Sequence, residues 1–187
     1  MKKALFNGLM VISQQTPFTL PILFFILFVT TLDTRYMILM ALVFFNMLVN
    51  SILKIITKRG YKLSGKDTLP LLGKGYRPQN HMNCSVLGGK VTNEQTFGMP
   101  SGHSQIIWSV IAYIVTFLYY ENRYKPDFKY YFPFQVLLLC MIGLTVSFSR
   151  VHIGCHTVMQ VVIGGLIGIG IGYGAYVMYP HPKKLDN

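Results

Sequence analysis

Apolar residues in this chain gather into five long runs, over 16–32, 36–56, 104–120, 131–148 and 157–179. A bilayer core takes about 20 apolar residues of α-helix, and about 17 is the lower bound, so each run predicts a membrane-spanning helix, the first and third being the shortest. Tyr and Phe crowd several run ends, where amphipathic rings favour the headgroup region. The first run carries Pro17 and Pro21 near its start. The expected fold is all-α, an integral-membrane bundle of about five transmembrane helices forming a single membrane-embedded domain over 1–187. A multi-pass membrane location is implied, with endoplasmic reticulum and plasma membrane not distinguished.

The polar stretches differ in length. The longest, 57–99, contains Gly60, Gly65, Gly73, Gly75, Gly88 and Gly89. Polar segments of this length are usually functional or disordered, so a lid over one membrane face and a silent insertion both stay open. At the other extreme, Met1-Lys2-Lys3 and the modest apolar stretch 4–12 lack a small-residue cleavage site. They predict a short amphipathic segment at the membrane surface rather than a signal peptide. The last run carries Gly164, Gly168 and Gly172, a spacing that lets membrane helices approach closely. Packing within the chain is the expected use of that face, with an oligomer contact as the alternative.

Composition agrees with the pattern and adds a charge. Of 187 residues, 52% are hydrophobic and 12% charged, and the formal net charge is +11. No basic helix or aromatic-basic platform is present, so no nucleic-acid partner is expected. The bilayer and its anionic headgroups, or phosphates, are the expected partners. Cys140 lies inside an apolar run, which leaves Cys84 and Cys155 as the one pair able to bridge. The three cysteines show neither a disulfide framework nor metal-ligand spacing, and the chain is expected to do without a disulfide.

Three phrases can carry chemistry: Arg77-Pro78, then Pro100-Ser101-Gly102-His103, then Ser149-Arg150 with His156 further on. The order of spans puts all three on one membrane face. Phosphoryl transfer needs donors for the equatorial oxygens, a nucleophile in line and an acid for the leaving oxygen. Arg77 and Arg150 offer planar forks for phosphate oxygens. Ser101 and Gly102 precede a helix start, where backbone N–H groups bind anions and a glycine allows close approach. His156 is the candidate nucleophile, because nearby cations and the helix start favour its neutral form. His103 is the candidate acid and later base. His81 and His152 are expected to be ordinary solvated or hydrogen-bonded side chains. His152 and His156 lie four apart, but no cysteine or carboxylate completes a metal set, so no metal or cofactor is expected.

These phrases resemble the type 2 phosphatidic acid phosphatase superfamily, whose pattern is Lys-x6-Arg-Pro, Pro-Ser-Gly-His and Ser-Arg-x5-His-x3-Asp. The flanks Gly98-Met99-Pro100-Ser101-Gly102-His103-Ser104-Gln105 and His156-Thr157-x2-Gln160-Val161-x2-Gly164-Gly165 are most similar to its dolichyl (polyprenyl) diphosphatase branch. The resemblance covers about residues 50–165. It implies a metal-independent bundle of helices in which Arg77, Ser101, Gly102 and Arg150 bind phosphate, His103 is the acid and His156 the nucleophile. Two positions depart from the pattern. Position 70 is proline where the lysine should be; Lys54, within Asn50-x3-Lys54, is the favoured substitute and Lys74 the other. Gln160 replaces the final aspartate, and its amide oxygen could still accept the imidazole N–H, although it lacks the carboxylate's charge.

The expected activity is hydrolysis of a membrane lipid pyrophosphate, polyprenyl or dolichyl diphosphate, to lipid monophosphate and phosphate through a phosphohistidine. A phosphatidate or other phosphate-monoester phosphatase and a catalytically weak phospholipid-binding membrane protein are the alternatives. Orientation stays open. Eleven of the 17 cations fall on the motif face, which favours the cytoplasm. The resemblance and the acceptor sequence Asn83-Cys84-Ser85 favour the lumen.

Overall fold

The structure, a computed structural model, describes residues 2–78, 84 and 96–179, with side chains from residue 14 onward. His81, Asn83, Ser85, Gly88, Gly89 and the tail 180–187 lie outside the described residues, and so do two of the three residues of the glycosylation acceptor and part of the segment 57–99, whose reading as lid or silent insertion stays open. Five helices succeed one another: α1 (Lys2–Thr31), α2 (Thr34–Ser64), α3 (Gly102–Asn122), α4 (Phe128–His152) and α5 (Val158–Met178). Each is long and apolar enough to cross a membrane. A two-stranded antiparallel hairpin, β1 (Thr68–Leu69) and β2 (Gly73–Lys74), comes after α2. The molecule is an all-α, multi-pass membrane bundle.

Two helices exceed their apolar runs. α1 begins at Lys2, so the stretch 4–12 continues into the first span rather than forming a separate surface element. Pro17 and Pro21 stay inside α1, as membrane helices tolerate. α2 runs past residue 56 to Ser64 because Lys58, Arg59 and Lys62 are good helix formers that can extend beyond the bilayer. It stops at Gly65, which takes φ 62° and donates its N–H to Lys62 O. The added turns support the hairpin and the segment after it: Tyr61 Oη donates to Gly73 O at 2.8 Å, and the Tyr61 ring meets Phe97 edge-on.

α3 is the central helix and packs against the other four. Its apolar contacts with α1, α2 and α5 centre on Phe24, Leu39, Leu42, Val43, Ile106, Val110, Tyr113 and Tyr176. The glycine face of α5 is spent within the chain. A Cβ at Gly164 would lie 2.5 Å from Ser101 O, and at Gly168 and Gly172 it would lie closer still to Gln105 O and Ser109 O. Large apolar side chains such as Phe44, Leu48, Leu137 and Leu166 point outward, as lipid contact requires.

The expectation of no disulfide is wrong. Cys84 and Cys155 are bonded, with their Cα atoms 5.6 Å apart. The chain has only one such pair, and the contact joins residues 71 apart in sequence, so spacing alone gave no signal.

Candidate active site

The site lies where α2, α3 and the α4–α5 turn meet on one membrane face. A cavity of about 210 Å³ is lined there by Lys54, Arg77, Gly102, His103 and His156, with Asn50 and Cys84 beside them. Pro17, Phe18, Met47 and Ile106 give it an apolar wall. The structure thus brings five of the residues singled out from sequence to one cavity. Ser101, Arg150 and Gln160 do not line it but are buried around it, at 0%, 1% and 0% exposure. Lys74 has an exposed side chain and contributes only its carbonyl, so Lys54 is the lysine at the cavity. His152 is exposed and stacks on Phe148.

Each residue is held by local structure. Ser101 precedes α3 in extended backbone, and the first two residues of that helix, Gly102 and His103, line the cavity, where helix-start N–H groups can bind an anion. Its N–H donates to Gln160 O at 3.0 Å, an approach that Gly164 permits. At the end of α4, the N–H groups of Cys155 and His156 both donate to Arg150 O, at 3.0 and 3.1 Å. Gly154 supplies the left-handed turn between them with φ 73°. Arg77 follows the antiparallel bridge between Tyr76 and Phe97: its N–H donates to Thr96 O at 3.0 Å, and Gly98 N donates to Gly75 O at 2.9 Å.

The two histidines have defined partners. His156 is 3% exposed, and its Nδ1 lies 3.0 Å from Gln160 Oε1. Gln160 Nε2 faces the carbonyls of Lys74, Gly75 and Tyr76 at 2.9, 3.2 and 3.0 Å, which fixes the amide's orientation and makes Oε1 the acceptor. His156 therefore carries its proton on Nδ1 and keeps a lone pair on Nε2. Burial holds its pKa well below the usual histidine value, and the positive charges of Arg77, Arg150 and Lys54 push it the same way. Burial also lowers the pKa of Arg77. His103 Nε2 lies 3.1 Å from the carbonyl of Gln14, which can only accept, so that nitrogen bears a hydrogen.

Among the described residues no carboxylate pairs with Lys54, Arg77 or Arg150. Among the described residues the one ion pair is Arg35–Asp33, on α2's opposite end. Arg77 Nε, Ser101 Oγ, and Arg150 Nε and Nη1 are buried without a hydrogen-bond partner. Buried donors and charges normally have one, so this donor set matches an anion with several acceptor oxygens.

Sequence reasoning missed the polar chain beneath the cavity. Asn46 Nδ2 donates to Ser109 Oγ at 2.8 Å, and Gln105 Nε2 donates to Asn46 Oδ1 at 3.2 Å. Asn50 Nδ2 then donates to Gln105 Oε1 at 2.9 Å and to Pro100 O at 3.3 Å. Thr57 Oγ1 donates to Met99 O at 3.1 Å. These bonds fasten the Pro100–His103 turn to α2, the helix that carries Lys54. Polar residues inside an apolar span were the available signal.

Comparison with known proteins agrees with this geometry. Residues 35–184 match the family model described as the PAP2 superfamily. A dolichyldiphosphatase 1 from Dictyostelium discoideum is 36% identical over 84 residues, which is 45% of this chain and 36% of that protein. A lipid A 4'-phosphatase from Helicobacter pylori is 36% identical over 76 residues, 41% of this chain and 32% of that one. The chain thus spans about a third of the length of these relatives, 36% and 32%. The fold matches a transmembrane PAP2-type phosphatidylglycerolphosphate phosphatase from Bacillus subtilis with TM-score 0.61 and 18% identity, over 92% of this chain and 73% of that chain. Because the family match takes in four of the five helices and every motif, the chain belongs to the PAP2 superfamily.

Proposed function

We propose that the protein hydrolyses a lipid pyrophosphate, of the polyprenyl or dolichyl diphosphate class, through a phosphohistidine on His156. The observation that carries this is one cavity lined by Lys54, Arg77, His103 and His156, with orphaned guanidinium donors around it and the nucleophilic nitrogen of His156 unmasked. The likeness to dolichyldiphosphatase 1 supports the substrate class.

Terminal phosphate oxygens are held by Lys54, Arg77 and Arg150 and by the N–H groups at the start of α3. His156 Nε2 attacks the terminal phosphorus in line, and the bond from that phosphorus to the bridging oxygen breaks. His103 gives its proton to the bridging oxygen, so lipid monophosphate leaves. The same imidazole then takes a proton from water, whose oxygen attacks the phosphohistidine; inorganic phosphate leaves and His156 is regenerated. Gln160 Oε1 accepts from Nδ1 throughout and keeps the reactive tautomer in place. The apolar wall of Pro17, Phe18, Met47 and Ile106 suits the first carbons of a lipid tail.

The test is phosphate release by detergent-purified protein from polyprenyl diphosphate, phosphatidate and glucose 6-phosphate in parallel, with and without chelator. Chelator-resistant release, fastest from polyprenyl diphosphate and abolished in His156→Ala, is expected. Preference for phosphatidate would move the protein to the phosphate-monoester reading, which the likeness to a lipid A 4'-phosphatase favours. No release from any of them by folded protein would sink the enzymatic reading.

A further inference from the structure

Gln160 bonds to two of the three motifs and to the segment that leads into the third. Its Oε1 accepts from His156 Nδ1 at 3.0 Å and from Thr157 N at 3.2 Å. Its main-chain oxygen accepts from Ser101 N. Its Nε2 donates to the successive carbonyls of Lys74, Gly75 and Tyr76, the segment that ends in Arg77. The side chain is fully buried, and it has no room to shift: a Cβ on Gly98 would lie 2.6 Å from Gln160 Oε1 and 2.8 Å from Arg77 Cγ.

We propose that Gln160 is a positioning residue whose amide clamps the Arg77 segment to the nucleophile's helix, so that a carboxylate cannot take its place. The proposal rests on the reading of His156 as nucleophile. The two ends of the amide face opposite demands. One end meets two N–H donors, and an oxygen of either amide or carboxylate satisfies them. The other end meets three carbonyl oxygens, which only a donor can satisfy. A carboxylate oxygen there would set negative charge against three negative dipoles in a buried site, with no hydrogen to offer. Aspartate, one methylene shorter, would also fail to reach both ends. The glutamine that departs from the family pattern is thus matched to this chain's own loop. It sets the register in which the Arg77 guanidinium meets phosphate, and so the distance from that cation to the reacting phosphorus.

Gln160→Glu isolates the donor end, because length, shape and the acceptor for His156 are retained. Two readings are taken on purified protein: hydrogen exchange of peptides spanning 74–78 and 96–98, and steady-state kinetics with polyprenyl diphosphate. The expected result is faster exchange in those peptides with α3 peptides unchanged, a raised KM, and kcat/KM lower by up to about 100-fold, the order of loss from a ~1 Å misplacement at a reacting centre. Wild-type exchange with equal or higher kcat/KM would overturn the proposal, as would a fall in kcat alone with KM and exchange unaltered, the mark of a tautomer role only. Should Gln160→Glu not fold, Gln160→Met, which keeps the length and removes the donor without adding charge, must give the same faster exchange; wild-type exchange in that variant also overturns it. The exchange arm needs no turnover, so a protein inactive on every substrate would fail the proposed function while still deciding the clamp.

Discussion

Individual side chains set the pH at which this site works. In the proposed mechanism the imidazole of His156 must be neutral to attack, and burial together with Arg77, Arg150 and Lys54 lowers its pKa well below about 6.5, the ordinary histidine value. As pH falls, the neutral form persists until pH reaches that lowered pKa. The acid limb of kcat/KM, which reports free-enzyme ionisations, should therefore fall well below pH 6.5 in a pH series on polyprenyl diphosphate; an acid limb centred near 6.5 would contradict the buried, cation-flanked imidazole. At this scale the sequence was informative where residues sit in short contiguous phrases: Arg77, Ser101, Gly102, His103, Arg150 and His156 could all be picked from spacing. Asn50 and Thr57 could not, because their partners Pro100 and Met99 lie 50 and 42 residues away. Gln14 escaped notice for a different reason, since it acts through its main-chain oxygen, which any residue would supply.

Helix-level predictions centre on the α3–α5 contact. Gly168 of α5 faces Gln105 O of α3 with no space for a Cβ, whereas Gly170, two residues on, has nothing within 4 Å. Gly168→Ala should cost about 1–3 kcal/mol, the usual range for forcing atoms into a packed interface, and should lower the Tm in detergent. Activity should fall with it, because α5 also carries Gln160, the partner of Ser101 N. Gly170→Ala should leave Tm unchanged or slightly raised, as alanine is the better helix former. Equal Tm values for the two variants would refute the close approach. The apolar runs made all five helices readable, since about 20 apolar residues in succession have few other uses. They hid the last turns of α2, where charge replaces apolar periodicity but helix propensity persists. Those turns are part of the site's support, because Tyr61 holds the strand that leads to Arg77.

The whole molecule has a direction that charge alone leaves ambiguous. The parity of five spans correctly put the motifs on one face, and the cavity there includes Arg77, His103 and His156 together. The excess of cations on that face includes Lys54, Arg77 and Arg150, which line or surround the cavity and hold phosphate in the proposed mechanism. The Cys84–Cys155 bond argues the other way, because disulfides persist in oxidising compartments. The motif face is therefore predicted to lie away from the cytosol. In sealed microsomes from expressing cells, a maleimide reagent should modify Cys84 and Cys155 only after reductant is added; modification without reductant, from the cytosolic side, would reverse the orientation. A covalent phosphoenzyme on one histidine is the core of the proposed mechanism. It can be trapped by rapid acid-free quench of the enzyme with polyprenyl diphosphate labelled in its terminal phosphate, followed by peptide mapping. Base-stable, acid-labile label on the peptide containing His156, and none in His156→Ala, is expected. Turnover by wild type with no label on that peptide, or undiminished turnover by His156→Ala, would contradict the mechanism.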